Sequence, residues 1–284
     1  MRLLRTTGEL RSAILEHRIA GDAVGLVPTM GSIHDGHLSL VRRSKADNGC
    51  TVASVFVNPS QLTGADELAR YPRDEARDIA LLEREGADLC FAPDMETMYP
   101  AEHATRIVVD RLTEQLEGAS RPGTLDGLAT NLMKLIHIAG PARVYLGQKD
   151  AQRVVVVRRM LRDLFVNVQL VVCPTVRELD GLAVSSHNAL LSIEERLAAP
   201  SLYAALRAAQ DAYDAGERSA EVLRARMHEA LAPERTVRID YVSIADAETL
   251  AELSRVSGPA LALVAARIGR VRLTDALPLA WDVA

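Results

Sequence analysis

Apolar residues along this chain alternate between short unbroken runs and helically spaced positions. Ala23 to Val27 is one such run, the pattern of a strand buried on both faces. Leu38, Leu40 and Val41 follow at helical spacing and predict a helix to about Asp47. Glu9 to Arg18 has the same rhythm ahead of the first strand. Thr51 to Val57 is a β-branched strand that ends in the turn-forming cluster Asn58-Pro59-Ser60-Gln61. Asp74 to Glu85 reads as a helix with Ile79, Leu81 and Leu82 inward, stopped by Gly86, and Asp88 to Ala92 as a short strand closed by Pro93. After the loop Arg121-Pro122-Gly123-Thr124, Leu128 to Ile138 reads as a helix ended by Gly140-Pro141. Arg143 to Leu146 (strand), Asp150 to Leu164 (helix) and Val166 to Val172 (strand, ended by Pro174) complete the series. Strands alternating with helices predict βαβ units around a parallel sheet, an α/β fold.

From about Val176 the texture changes. Ile193 to Ala215 and Ser219 to Ala230 read as helices, and Val237 to Val242 alternates. Ala260 to Ala265 and Arg270 to Leu273 look like a closing antiparallel pair. The expected organisation is a larger domain over 1–175 and a smaller α+β domain over 176–284, with 176–190 as hinge and lid.

Composition narrows the function classes. The 284 residues carry a net charge of −5, with a pI of about 5.8. No basic field therefore favours nucleic acid or anionic lipid. No apolar run approaches the roughly 20 residues of a membrane span, and Met1 to Thr6 has no signal-peptide core. Cys50, Cys90 and Cys173 are odd in number and scattered, as expected of small buried hydrophobes in a reduced, cytoplasmic protein.

The chemistry concentrates in Val27-Pro28-Thr29-Met30-Gly31-Ser32-Ile33-His34-Asp35-Gly36-His37-Leu38. A strand, a Gly-containing turn and a helix opening place phosphate on a helix N-terminus. His34 and His37 are three apart and project from one face of that helix. The plainer reading is a βα turn with solvated or capping histidines. Protein ligands for a metal at metal-site spacing are not evident.

Other stretches have two readings each. Gly147-Gln148-Lys149-Asp150 leaves a strand and opens a helix. Lys149 suits phosphate oxygens and Asp150 ribose hydroxyls, against solvent exposure and an N-cap. Ser185-Ser186-His187-Asn188 offers hydroxyls and an imidazole, or a polar helix start. Asn58 and Gln61 offer hydrogen bonds to an uncharged group, or turn chemistry. Arg121 offers a bidentate anion contact, or a solvated loop. The loops beginning at Pro28, Asn58 and Gly147 all leave strand carboxyl ends, where open parallel sheets bind ligands.

The full ordered set adds Phe56-Val57-Asn58-Pro59-Ser60-Gln61, Tyr71-Pro72-Arg73, Leu116 to Gly123 and Asp180-Gly181-Leu182-Ala183-Val184-Ser185-Ser186 to these motifs. It resembles the pantothenate synthetase (pantoate–β-alanine ligase) family along nearly the whole chain. The resemblance implies a cytidylyltransferase-like, doubly wound Rossmann domain, a smaller C-terminal domain and a homodimer. It implies an AMP-forming ligase: ATP and a carboxylic acid give an acyl-adenylate and pyrophosphate, and an amine then displaces AMP. By the same resemblance, His34 and His37 stabilise phosphate charge, and Lys149 holds phosphates bridged by Mg²⁺. Asp150 and Gly147 hold ribose and adenine. Pro28, Thr29, Met30, Gly36, Val176, Val184 and His187 line the nucleotide, and Ser185 and Ser186 close over the triphosphate. Gln61, with Asn58, Phe56, Arg121, Thr124 and Arg153, surrounds the acid.

Several positions depart from the family pattern. Thr124-Leu125-Asp126-Gly127 stands for His-Phe-Arg-Gly, Arg153 for a pantoate-binding Gln, and His187 for a lid Arg. Leu62 replaces a Phe, and Ile136-His137 a Phe-Asn pair. Arg153 puts a full charge where a diol is read, so it either meets a new anionic group or pairs within the protein, for instance with Asp126. These changes leave open a paralogue that runs the same chemistry on another acid, amine or both.

Overall fold

The computed structural model of the chain describes residues 1–280. They form two compact units, one of Met1–Leu146 with Val156–Cys173, the other of Gly147–Val155 with Pro174 onward.

The first unit begins with β1 (Arg2–Leu4), α1 (Thr7–Ile19), β2 (Val24–Thr29), α2 (Asp35–Asp47) and β3 (Cys50–Val55). It continues through α3 (Ala65–Arg70), α4 (Glu75–Arg84), β4 (Leu89–Phe91) and the short α5 (Met95–Met98) and α6 (Glu117–Ser120). Then come α7 (Thr124–Ala139), β5 (Arg143–Gly147), α8 (Ala151–Asp163) and β6 (Gln169–Cys173). The strands make one sheet in the order β1-β4-β3-β2-β5-β6, with parallel pairing of β1 to β4, β4 to β3, β3 to β2 and β2 to β5. This is the α/β parallel architecture that the alternation of elements predicts, with β1 as an edge strand too short to show in the pattern. Val27, Leu38, Val41, Ala53, Leu82 and Tyr145 are core residues on this sheet. The strand order reverses between β2 and β5, and at such a reversal the carboxyl ends of neighbouring strands leave a crevice.

Two local devices set where helices begin. Thr6 and Glu9 form a reciprocal capping box at the start of α1. Helix α7 begins at Thr124, four residues before the expected Leu128. Gly123, at φ +81°, lets the chain turn straight into the helix. Gly127 lies so close to the Pro59–Gln61 turn that an added Cβ would stand 2.4 Å from the Ser60 carbonyl oxygen. A glycine and a buried Asp126 in the first turns hide the apolar rhythm there.

The second unit comprises Gly147–Val155, which holds a 3₁₀ turn over Gln148–Asp150 and the first residues of α8, followed by the chain from Pro174. Its further elements are α9 (Ile193–Ala198), α10 (Ser201–Asp214), α11 (Ala220–Leu231), β7 (Val237–Asp246), β8 (Ala260–Ile268) and β9 (Val271–Leu279). The single helix expected over Ile193 to Ala215 is two helices. Pro200 stands between them and has no N–H to continue the helical hydrogen-bond ladder. The strands form an antiparallel sheet in the order β7-β8-β9, longer than the alternation predicts because β8 is apolar almost throughout. Leu202, Leu206, Leu223, Met227, Ile244 and Val264 are core residues here.

The three cysteines are free and buried. Burial pushes the Cys50 thiol up to about 12 and those of Cys90 and Cys173 to about 11. They pack as hydrophobes and present no thiolate.

Arg177 and Asp275 form a buried pair at 2.6 Å, with side chains 15% and 4% exposed, and the guanidinium also lies 3.9 Å over the Tyr203 ring. Removing one partner strands the other charge in a poorly solvated place. Arg177→Ala is therefore expected to lower unfolding free energy by about 3 kcal/mol in urea titrations. A change within 0.5 kcal/mol, roughly that of a surface substitution, would contradict this.

Candidate active site

The turn after β2 is held by side chains rather than by other backbone. The Thr29 hydroxyl donates to the Ser54 carbonyl on β3 at 2.7 Å and accepts the Gly31 N–H at 3.2 Å. The next two amides both donate to Asp78 on α4: Ser32 N–H to Oδ2 at 2.8 Å and Ile33 N–H to Oδ1 at 2.7 Å. Gly31 and Ser32 have φ of +78° and +51°, a conformation that turns successive N–H groups toward one anion. Here the anion is the protein's own carboxylate, 1% exposed. The amides of the turn itself are thus satisfied within the protein. The helix end that follows, at Asp35–His37, is where first-turn N–H groups lack intrahelical acceptors.

His34 occupies the N-cap of α2 and makes no side-chain cap bond. Its ring stacks on His37 with centroids 4.0 Å apart and planes 25° apart. The three-residue spacing predicts this shared face, and both imidazoles are half-buried beside half-buried Pro28, Met30 and Gly36.

The loop after β3 begins beside this turn, since Phe56 N–H donates to the Thr29 carbonyl. Phe56 stacks on Tyr99 at 6.1 Å, and Lys134 lies 3.9 Å over the same ring. Burial holds the Lys134 ammonium below its usual range. Asn58, 1% exposed, accepts from the Ser60 amide and hydroxyl and donates to the Tyr99 hydroxyl and the Gly127 carbonyl. Its side chain organises the turn, the plainer of its two readings. Gln61 closes the 3₁₀ turn, 6% exposed. Arg121 is no solvated loop residue. Its Nη2 donates to both Glu67 oxygens at 2.7 and 2.8 Å and points at the Gln61 carbonyl at 3.4 Å. The Thr124 hydroxyl donates to the Arg121 carbonyl.

In the second unit, Lys149 stands 3.7 Å from Asp150, and Arg153 pairs with Asp150 at 3.1 Å. The partner of Arg153 is thus the acid one helical turn before it. Val184 N–H donates to the Val176 carbonyl, and Arg177 bridges Ala183, so 176–184 is a tight hairpin. Ser185 caps a 3₁₀ helix over Ser186–Leu190, accepting the His187 amide at 3.3 Å. Lys149, Ala183, Ser185 and Asn188 share the lining of one recess with Leu202 and Asp275. Among the described residues no His, Cys, Asp and Glu side chains gather as a metal-ligand group.

Sequence reasoning missed Asp78, Glu67, Tyr99 and Lys134. For Asp78 a signal existed: it lies four residues before the buried Leu82 and so on the inward face of its helix.

A parallel sheet whose order reverses beside a strand–turn–helix carrying two stacked imidazoles defines the class of doubly wound nucleotide-site proteins. The chain belongs to the pantoate–β-alanine ligase family, whose model (Pantoate-beta-alanine ligase) matches residues 2–278. It is 51% identical over 275 residues to the pantothenate synthetase of Roseiflexus sp. (strain RS-1), covering 97% of this chain and 98% of that one. It is similar to the solved pantothenate synthetase of Thermus thermophilus, with a TM-score of 0.92, 46% identity and coverage of 98% and 99%. A pantoate–β-alanine ligase from Francisella tularensis, complexed with β,γ ATP and β-alanine, matches at a TM-score of 0.80 and 29% identity, covering 98% of this chain and 97% of that one.

The Glu67–Arg121 pair carries a pH signature. Burial raises the Glu67 carboxyl, but hydrogen bonds from Thr63 and the Arg121 charge outweigh it and hold the group below its usual range. Its contribution is present above the unfolded value of about 4.3 and is lost as pH falls through the lowered folded value. Glu67→Gln is expected to be less stable than the parent in urea at pH 7, with the gap narrowing below about pH 4. A gap that stays constant with pH would contradict the assignment.

Proposed function

We propose that this chain is an ATP-dependent ligase that joins pantoate to β-alanine through an acyl-adenylate, releasing pyrophosphate and then AMP. The stacked His34–His37 pair at the start of α2, beside the strand-order reversal, is the observation that carries the reading. Family membership supports it. By the family resemblance, the 176–190 segment acts as lid.

Attack of the pantoate carboxylate on the α-phosphorus builds charge on phosphate oxygens, and preorganised donors stabilise that charge most. His34 and His37 supply two such donors, Gly36 and the α2 amides adjoin them, and Pro28, Thr29 and Met30 shape the wall. Lys149 neutralises phosphate oxygens, and Gly147 and Asp150 hold the nucleoside. Val176 and Val184 set the hairpin that presents Ser185, Ser186 and His187 to the triphosphate. Gln61 hydrogen-bonds the pantoate hydroxyls, with Phe56 and Thr124 beside it. Asn58 and Arg121 hold that loop in place, since their polar atoms are engaged within the protein. Lys149 would share the neutralisation of the phosphates with Mg²⁺, which, when bound with ATP, would supply further positive charge there. The amine of β-alanine then attacks the mixed anhydride and AMP leaves, a transfer between bound reactants that needs no enzyme nucleophile. A cytoplasmic homodimer belongs to the same reading, supported by the family resemblance.

The Arg153–Asp150 pair bears on the acid. With its charge met three residues away, Arg153 does not require an anionic group on the substrate, which supports pantoate over a replacement acid.

The decisive experiment is acid-dependent ATP–pyrophosphate exchange. Exchange with pantoate, followed by pantothenate formation on adding β-alanine, is expected, whereas exchange with other carboxylic acids only would overturn the reading. His37→Ala is expected to lower exchange by about 10²-fold or more, the range for loss of a transition-state donor.

His187 yields a separate expectation. An imidazole ring N–H near phosphates donates to their oxygens, so His187→Ala is expected to slow ATP–pyrophosphate exchange. An unchanged rate would remove the role.

A further inference from the structure

The carboxylate of Asp78 sits inside the strand–turn–helix and has no part in the chemistry described so far. It is 1% exposed and receives two consecutive amides. Its neighbour Arg77 donates to the Ile33 carbonyl at 3.4 Å, so one turn of α4 holds Ser32 by its N–H and Ile33 by both its N–H and its carbonyl. Ile33 directly precedes the N-cap His34, and the His34 carbonyl accepts the Leu38 amide that closes the first turn of α2. Any shift of Ile33 therefore passes into His34 and, through the stacked rings, into His37.

Backbone strain makes the carboxylate necessary. Ser32 is a non-glycine residue at φ +51°, a conformation that persists only where surroundings over-determine it. Gly31 at φ +78° also leaves room for the acid, because a Cβ there would stand 3.0 Å from Asp78 Oδ2. A carboxylate presents two acceptors to the two N–H groups, whereas an amide presents one acceptor and one donor. Asn at this position would set an NH₂ against one of them.

We infer that Asp78 is a positioning residue for the His34–His37 pair: an internal anion that occupies the amide nest after β2 and aims both imidazoles. The inference rests on the reading of that pair as the adenylation site. It assigns the nest to the protein and the α2 N-terminus to the substrate phosphates.

The test compares Asp78→Asn with the parent in pantoate-dependent ATP–pyrophosphate exchange on folded, full-length protein. Expected is a kcat at least about tenfold lower, since small misplacements of catalytic groups have effects of that order. KM for ATP should stay within about threefold, and the ring carbon–proton NMR signals of His34 and His37 should move. A lower melting temperature with unchanged kcat and unchanged ring signals would make Asp78 merely structural and overturn the inference. Unchanged exchange in His37→Ala would instead remove the site reading, and the inference with it. Should Asp78→Asn not fold, Gly31→Ala crowds the carboxylate without removing its charge, and the same loss of kcat is expected. Parent-like kcat there overturns the inference. In the parent protein the Ser32 and Ile33 amides should exchange slowly with solvent, and exchange at rates typical of open loops would equally refute it.

Discussion

A parallel strand that ends at a ligand site leaves amides with no sheet partner, and each buried amide must find an acceptor. At the end of β2 three successive amides face this problem, and two side chains solve it: Thr29 takes Gly31, and Asp78 takes Ser32 and Ile33. The arrangement ties β2 to β3 through the Thr29–Ser54 bond and to α4 through the carboxylate. Helix α2 can then begin where it does, with two histidines in its first turn. A glycine at 31 and a strained serine at 32 are consequences of the same geometry.

The cations of the chain show a related economy. Three arginines have acidic partners: Arg121 with Glu67, Arg153 with Asp150 and Arg177 with Asp275. Arg177 binds Asp275 through two nitrogens, a stiff fork-like pair, whereas Arg121 reaches both Glu67 oxygens through Nη2 alone. Arg121 then shapes the loop at Gln61, and Arg177 pins the 176–184 hairpin to β9 through Asp275 while covering Tyr203.

Much of the fold was legible because periodicity reports burial. The buried run at Ala23 to Val27, the β-branched Thr51 to Val57 and the spacing in Leu38 to Val41 each mark an element that the structure contains. Periodicity fails where buried residues are polar or small. Helix α7 starts early because Thr124, Asp126 and Gly127 are buried without being apolar. The helix expected to run unbroken to Ala215 stops at Ala198 because a single proline outweighs helical spacing on both sides. Strand β1 and helices α5 and α6 are too short to carry a period.

The site divides along the same line. The His34–His37 relation follows from helical geometry alone, so spacing sufficed. Partner choice does not follow from spacing: nothing local says that Arg121 meets Glu67, 54 positions away, or that Ser32 and Ile33 meet Asp78, 46 and 45 positions on. Such contacts depend on which loops the sheet order brings side by side, a long-range property. This explains why the histidine motif is legible from spacing while the carboxylate that meets Ser32 and Ile33 is not. His34 and His37 are half-buried in one short motif, whereas the Asp78 carboxylate is buried four residues before the buried Leu82 on the same helix. In a helix like α4, an acidic residue in register with the apolar face is therefore the sequence feature that marks a buried support.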